Sequence, residues 1–393
     1  MRCRSPFRLI LPMLLALTTG ATGCLDDPEL SASSDPGAIE ASSDGTTRPL
    51  AIVGVAAARS VTTTDDQQHL VYELVLQNTS ATSVEISRVV VVDPQRHRAI
   101  ARYQDAALAG ILRIFPDADQ GARTIPPGGA AIAFFDLALT HRQHLPHGLA
   151  HRITVQQDGG AAVVAAPTVA VIEDHAPSLA PPLRGDRILA LGGGCCDAYH
   201  RRAFLGTDEG VFLAQRFAID FVRVDDRATF AGDPTKNASY FLFGAEVVAV
   251  GSGRIVAASD GMAENIPTEP LPPFDIQTAP GNHVVEELDD GRFVVYAHLH
   301  TGSVRVQAGE RVRRGQVLGL VGNTGNSNEP HLHFHVADRA SPFSSNGLPY
   351  AFDRFRLMGT IDASVTPPVL RPAPPPQQRR DRLPLELDVV AFP

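Results

Sequence analysis

Short runs of alternating apolar and polar residues, separated by turns rich in glycine and proline, recur along most of this 393-residue chain. Between residues 51 and 172 they include HLVYELVLQN, SVEISRVVVVD and GAAIAFFDLAL. Alternation with a period of two is typical of β-strands that bury one face. Several such strands at regular spacing predict a mainly β protein, with an immunoglobulin-like β-sandwich over residues 51–172.

The first 24 residues have the anatomy of an export signal. Three arginines precede an apolar run at residues 9–17, which is too short to span a bilayer, and small residues then lead to Cys24. The stretch that ends at Cys24 resembles a bacterial lipobox, with Ala21 in place of the usual leucine. We therefore expect residues 1–24 to be a lipoprotein-type signal peptide and Cys24 to carry a lipid anchor in the bacterial cell envelope. Ordinary secretion with cleavage nearby is the alternative.

The remaining segments follow from changes in composition. Residues 25–50 are rich in Ser, Asp, Gly and Thr, which predicts a flexible tether. Residues 173–186 form a linker punctuated by prolines, and residues 187–363 form a second β-rich domain. Residues 364–393 form a proline-rich tail, whose final LPLELDVVAF alternates and could dock back as a strand.

Composition argues against two functional classes. A net charge of -9 does not suit a nucleic-acid-binding surface, so we expect no nucleic-acid partner. The stretch VRVQAGERVRRGQVLGLV resembles the barrel-sandwich hairpins of biotinyl and lipoyl carriers. Those carriers bear their cofactor on a lysine of the hairpin, but Lys236 lies well upstream and is the only lysine of the chain.

The stretch NEPHLHFHVAD places His331, His333 and His335 at alternate positions. In a strand these three side chains share one face, while Leu332 and Phe334 point to the other face and anchor the strand in the core. Three imidazoles within five residues favour a metal site or a catalytic cleft, because neutral imidazole is the commonest metal ligand in proteins.

Two further segments carry the same kind of chemistry. His298 and His300 have strand spacing in VVYAHLHTG, and Asp220 stands within the apolar strand QRFAIDFVRVD. A carboxylate in an apolar strand needs a partner, and a divalent metal ion would serve.

These segments resemble the lysostaphin-type (LytM, M23) zinc metallopeptidases, which cut peptide bonds in peptidoglycan. The resemblance covers about residues 199–336 and rests on YAHL, on the glycine-spaced run VQAGERVRRGQVLGLVGNTG, and on H-x-H after a proline. It implies a LytM-type antiparallel β-sheet of the barrel-sandwich kind. It also implies one Zn²⁺ ion bound by Asp220, His333 and a further histidine, with His298 and His331 as catalytic residues.

The chain departs from the family pattern at one position. The family has a histidine four residues before the aspartate, where this chain has Arg216. Arginine stays protonated and cannot ligate zinc, so it would hold Asp220 or a substrate carboxylate instead. We expect His200, in DAYHRRAF, to replace the missing ligand, brought alongside by an intervening hairpin. His283, in GNHVV, is the other candidate.

Together these features predict a zinc endopeptidase that hydrolyses peptide bonds in peptidoglycan cross-links and is bound to a membrane through its lipid anchor. The sandwich would act as a spacer or a binding module. Arg216 favours the alternative, a catalytically degenerate LytM-like module that acts as an envelope scaffold or activates another cell-wall hydrolase.

Overall fold

The computed structural model describes residues 49–393, apart from 117–120, 141–143, 173–175, 194, 196–197, 226–227, 272 and 367. The predicted signal peptide, Cys24 and almost all of the predicted tether lie outside the described residues. No helix within the described ranges is both long and apolar enough to cross a membrane.

The described residues form two compact units. Apart from the gaps given above, the first contains residues 49–58, 71–137 and 144–172, and the second contains residues 59–70, 138–140 and 176–393.

The N-terminal strands join one ten-stranded sheet. They are β1 (Leu50–Val55), β2 (Ala58–Thr62), β3 (Gln68–Asn78), β4 (Val84–Asp93), β5 (Arg98–Gln104), β6 (Leu112–Phe115), β7 (Thr124–Ile125), β8 (Ala130–Leu139), β9 (Gly148–Gln157) and β10 (Gly160–Ile172), with helix α1 (Asp105–Ile111) between β5 and β6. The sheet is mixed and curls like half of a barrel. Its core includes Tyr72 stacked on Phe135, with ring centroids 4.9 Å apart.

The prediction of a mainly β unit is therefore confirmed, but the predicted immunoglobulin-like layering is not what the strands adopt. Such a sandwich has two facing sheets, whereas these ten strands share one curled sheet. Alternation identifies strands and their buried faces, but it does not determine which strands pair.

The second unit contains an eleven-stranded antiparallel sheet, which agrees with the predicted LytM-type architecture. Its strands are β12 (Gly185–Leu191), β15 (Ile219–Arg223), β17 (Gly253–Ser259), β18 (Asn282–Leu288), β19 (Phe293–Leu299), β20 (Arg311–Val312), β22 (Leu332–Ala337), β23 (Gly347–Leu348), β25 (Phe355–Asp362), β26 (Val369–Arg379) and β27 (Asp388–Phe392). Their order is β20-β17-β18-β19-β22-β15-β12-β27-β25-β26, with β23 beside β22.

Three two-stranded sheets complete this unit. They pair β11 (Ser178–Leu179) with β24 (Ala351–Phe352), β13 (Leu205–Thr207) with β14 (Gly210–Phe212), and β16 (Glu246–Val248) with β21 (Val317–Leu320). Two 3₁₀ turns lie at His200–Arg202 and Asn237–Ser239.

Parts of the predicted linker and tail belong to the large sheet. β12 begins at Gly185, inside the predicted linker, and β27 pairs with it antiparallel, with Val389 opposite Leu189. The final alternating stretch thus docks as a strand. The proline-rich β26 lies at the edge of the sheet and, among the described strands, pairs only with β25. Its outer side donates no hydrogen bonds to another described strand, so proline, which has no N–H group, is tolerated there.

The strands β15, β19 and β22 are neighbours, and their core face is aromatic. Phe334 of β22 packs edge-on against Tyr296 of β19 at 5.5 Å, and its ring lies 6.5 Å from that of Phe221 of β15. All three rings are fully buried. Each such ring contributes about 1.5–3 kcal/mol through burial, so this face fixes the strands that bear the polar residues described next.

The adjacent cysteines at positions 195 and 196 leave free thiols, a disulfide or simple packing open from sequence alone. The structure shows Cys195 in a disulfide and buried.

Candidate metal centre

Strand pairing brings Asp220 and His333 together. β15 and β22 run antiparallel with Asp220 directly opposite His333, although 113 positions separate the two residues in the sequence. The Nδ1 atom of His333 lies 2.8 Å from the Oδ1 atom of Asp220. Both side chains are buried on the sheet face opposite Phe221 and Phe334, as the alternation predicted.

His200 reaches the same carboxylate from the 3₁₀ turn. Its Nε2 atom lies 3.3 Å from the Oδ2 atom of Asp220. Its Nδ1 atom lies 2.7 Å from the carbonyl oxygen of Gly192 and donates a hydrogen bond to it, since a carbonyl only accepts. The lone pair of a neutral His200 therefore sits on Nε2, towards Asp220.

The predicted replacement for the missing ligand thus lies beside the predicted aspartate. The hairpin of β13 and β14 separates His200 from β15 in the sequence, as expected. Arg216 is buried, and its Nη1 atom donates to the carbonyl oxygen of Gly347 at 3.3 Å. His283, the other candidate, lies on β18, where its Nδ1 atom donates to the carbonyl oxygen of Gly281 at 2.8 Å.

His200, Asp220 and His333 form a group that could hold a metal ion. One donor atom from each lies within 4.8 Å of the other two. Two imidazole nitrogens and one carboxylate oxygen are a donor set that suits Zn²⁺ in catalytic sites. The hydrogen bond from His200 to a backbone carbonyl is the kind of outer contact that orients a ligating histidine. The residues present therefore fit a zinc ion.

The two predicted catalytic histidines flank this group. The ring centroids of His298 and His331 are 4.7 Å apart, and the Nε2 atom of His331 lies 3.5 Å from the Oδ1 atom of Asp220. The Nδ1 atom of each donates to a backbone carbonyl at 2.8 Å, that of Thr324 for His298 and that of Glu329 for His331. In the neutral form of both rings, Nε2 is therefore the atom that can accept a proton.

A β-bulge sets the direction of the His298 side chain. The pairing of β18 with β19 shifts register between Asn282 and Val284, so one residue of β18 faces two residues of β19, one of them His298. His298 also has a φ of 63°, which is uncommon for a residue other than glycine. Bulges re-aim side chains next to active sites, and this one turns the imidazole of His298 towards His331.

The electrostatics of the group centre on Asp220. Burial favours its neutral form, but the imidazoles of His200 and His331 outweigh burial and hold the pKa of Asp220 well below its ordinary value. Burial and the neighbouring His331 and His333 lower the pKa of His298 well below its ordinary value. For His331, burial works in the same direction, but the carboxylate of Asp220 outweighs it and the pKa of His331 is raised.

Tyr199 is a site residue that the sequence reasoning missed. Its hydroxyl donates a hydrogen bond to the Oδ2 atom of Asp220 at 2.5 Å. Tyr199 as a whole is 50% exposed, although its hydroxyl is buried against Asp220. Burial of the hydroxyl and the charge of Asp220 raise the pKa of Tyr199 well above 10, so it remains a donor. The only sequence signal is its position directly before His200, which alone does not single out a tyrosine.

His335 stands behind His333. Its Nδ1 atom lies 3.0 Å from the Nε2 atom of His333, and it is buried. Its own Nε2 atom has no hydrogen-bond partner among the described residues. Of the three alternating histidines, His333 thus faces Asp220 directly and His335 supports His333 from the next position on the same face.

Part of the second unit is similar to known proteins. Residues 240–345 match the model of peptidase family M23, and this segment includes His298, His331 and His333 but begins after His200 and Asp220. The chain is 38% identical over 65 residues to the peptidoglycan DD-endopeptidase ShyA of Vibrio cholerae, which covers 16% of this chain and 15% of that protein. It is 41% identical over 68 residues to the cell division protein DipM of Caulobacter vibrioides, which covers 16% of this chain and 11% of that protein.

One solved structure is also matched. The catalytic domain of the antimicrobial peptidase lysostaphin from Staphylococcus simulans is 24% identical, covers 40% of this chain and 86% of that chain, and superimposes with a TM-score of 0.24. The chain spans only 15% and 11% of the length of the two curated relatives.

Proposed function

We propose, from the peptidase family M23 domain that residues 240–345 form, that this protein is a zinc-dependent endopeptidase. Its substrate would be the peptide cross-links of peptidoglycan. The observation that carries the proposal is the buried group of His200, Asp220 and His333, with two further imidazoles beside it. The name of the Vibrio cholerae relative, a peptidoglycan DD-endopeptidase, supports the substrate class.

Zinc bound to two imidazoles and one carboxylate would lower the pKa of a bound water to about 7 and would polarise the scissile carbonyl. The low pKa of Asp220 keeps it an anionic ligand. His200 offers Nε2 because its Nδ1 proton is held by the Gly192 carbonyl. His333 would offer Nδ1, the atom that faces Asp220, and its ring proton would then lie on Nε2, towards His335.

His298 and His331 would handle protons. Each has its Nδ1 atom fixed on a carbonyl, so each presents Nε2 as the atom that accepts or returns a proton during attack on the peptide bond. In its protonated form the same nitrogen donates a hydrogen bond and would stabilise negative charge on the former carbonyl oxygen. A pair of imidazoles can thus serve as base and as electrophilic donor without any Ser or Cys nucleophile.

The proposed location is the bacterial cell envelope, where peptidoglycan lies. A lipoprotein-type signal at residues 1–24 and a lipid on Cys24 would place the protein on a membrane. In the sequence, the curled sheet follows the tether and precedes most of the peptidase unit, and its role would be that of a spacer or a binding module.

A second function is a scaffold or activator that has lost catalysis. Arg216, at the position where the family has a histidine ligand, favours it, and the Caulobacter relative is named for cell division rather than for hydrolysis. Against it stands His200, which offers the group a second imidazole within reach of Asp220.

The test is digestion of purified peptidoglycan. The full chain, loaded with one equivalent of Zn²⁺, is incubated with peptidoglycan, and the released fragments are identified by mass spectrometry. The proposal predicts fragments in which a cross-link peptide bond has been hydrolysed, and none with His333→Ala. Intact cross-links after incubation with zinc-loaded wild-type protein would favour the scaffold function.

A further inference from the structure

The C-terminal segment places a carboxylate behind the metal centre. The Oε2 atom of Glu386 accepts a hydrogen bond from the backbone N–H of Gly193 at 2.6 Å, and the backbone of Gly192 also bonds this carboxylate. Glu386 is 193 positions from Gly193 in the sequence, so only the fold brings them together.

The turn that Glu386 binds is the one that orients His200. The carbonyl oxygen of Gly192 accepts the Nδ1 proton of His200 at 2.7 Å. This backbone is tightly enclosed: Gly192 has a φ of 66°, and a Cβ atom there would lie 2.4–2.6 Å from atoms of the Tyr199 side chain. A Cβ atom on Gly193 would lie 2.9 Å from the side chain of Ile219. A small displacement of the turn would therefore move His200 or Tyr199.

The backbone around Glu386 is held by contacts that do not involve its side chain. The N–H of Leu387 donates to the carbonyl of Ala190 at 2.8 Å, and β27 pairs with β12. Asp388 is buried and bonded to Thr360 at 3.0 Å. Removal of the Glu386 carboxylate should therefore leave β27 in place and release only the Gly192–Gly193 turn.

The carboxylate of Glu386 lies in a costly position. Burial raises its pKa to about 7, against the opposing effect of the backbone N–H of Gly193. Burial of an ionisable group is unfavourable unless its hydrogen bonds compensate, and the hydrogen bonds made here are those to the turn beside His200.

We propose that Glu386 is a positioning residue of the metal centre, which holds the Gly192–Gly193 turn so that the Gly192 carbonyl fixes His200 with Nε2 free for a metal ion. The inference rests on the proposed function, in which His200 is a ligand. Loss of a group that bonds a ligating histidine directly typically weakens metal binding by about 10- to 100-fold, and Glu386 acts one contact further out, so the expected loss is at the lower end of this range. In this proposal the C-terminal segment contributes a residue to the site.

The test compares full-length wild type, Glu386→Ala and Glu386→Gln. Zinc affinity is measured by competition with a chromophoric chelator, and circular dichroism verifies the fold. Glu386→Ala should bind zinc about 10-fold more weakly. Glu386→Gln should lie between, because it keeps one oxygen that can accept a hydrogen bond from the turn, while its NH₂ group cannot accept one. Asp381→Asn, a change at an exposed carboxylate of the same segment, is the matched control and should retain wild-type affinity.

A second readout needs no metal. Long-range ¹H–¹⁵N spectra of the zinc-free chain at pH 8 report which nitrogen of His200 is protonated. Wild type should show the Nδ1–H tautomer, and Glu386→Ala should show a mixture. Unchanged zinc affinity in a folded Glu386→Ala variant would overturn the inference, as would weaker binding with an unchanged tautomer. Wild-type protein that binds no zinc would instead contradict the proposed function.

Discussion

Replacement of Glu286 by glutamine should make the second unit less sensitive to pH. Glu286 lies on β18 with no exposed surface, and it accepts a hydrogen bond from the hydroxyl of Tyr296 at 2.6 Å. Its Oε1 atom has no hydrogen-bond partner within the described part of the chain. Burial raises the pKa of Glu286 from 4.5 to about 7, although the Tyr296 hydroxyl acts in the opposite direction.

The sign and size of the effect follow from linkage. Between pH 4.5 and about 7 the folded protein holds the Glu286 proton more tightly than the unfolded chain does, so stability falls as pH rises through this range. Each pKa unit corresponds to about 1.4 kcal/mol, which gives a loss of about 3 kcal/mol above the folded-state pKa. Between pH 5 and pH 8 the expected part of this loss is about 2–3 kcal/mol.

The assay is thermal unfolding of full-length wild type and Glu286→Gln at pH 5 and pH 8, with EDTA present so that metal binding does not contribute. A difference of about 2–3 kcal/mol corresponds to roughly 5–10 °C in a unit of this size. The Tm of the variant relative to wild type should rise by this amount from pH 5 to pH 8. Glu287→Gln, at the next and partly exposed position, is the control. An equal Tm difference at both pH values would refute the reasoning.

Three further predictions concern the metal centre. Asp220→Asn should remove bound zinc, measured as metal per chain by mass spectrometry, whereas His283→Ala should retain it; loss in both variants would contradict the assignment. His331→Ala should keep the zinc but reduce peptidoglycan hydrolysis by about 10²–10⁴-fold, as expected when a proton-transfer group is lost, and loss of the metal would make it a ligand instead. Gly192→Ala should weaken zinc binding by about 10-fold or more, because its Cβ atom would clash with Tyr199. Gly206→Ala, with open space around its Cβ atom, is the control and should bind zinc as wild type does. Equal zinc affinities of the two variants would show that the turn is not constrained.

Much of the site could be predicted from the sequence because its chemistry is concentrated in short motifs. The alternation around His333 gave a strand, a buried face and a polar face, and the structure has all three. The position of His200 followed from a chemical exclusion, since Arg216 cannot ligate a metal and a hairpin could bring a nearby histidine back. The structure places His200 beside Asp220, with that hairpin between them in the sequence.

What sequence reasoning missed depends on contacts between distant segments. The proline-rich composition of β26 does not reveal that this segment pairs at the edge of a sheet, the position at which strands tolerate proline. Glu386 reaches its turn only because β27 pairs with β12. The orientation of His298 depends on a bulge, which inserts one residue without any clear composition signal. The curled N-terminal sheet was missed for the same reason, since alternation does not encode strand partners.

The central claim, that His200, Asp220 and His333 bind one metal ion, is tested most directly by anomalous diffraction at the zinc absorption edge from crystals grown with Zn²⁺. We expect one peak per chain at about 2.0–2.2 Å from the Nε2 atom of His200, a carboxylate oxygen of Asp220 and the Nδ1 atom of His333. A peak bound by other residues, or no peak at this position in crystals soaked with zinc, would contradict it.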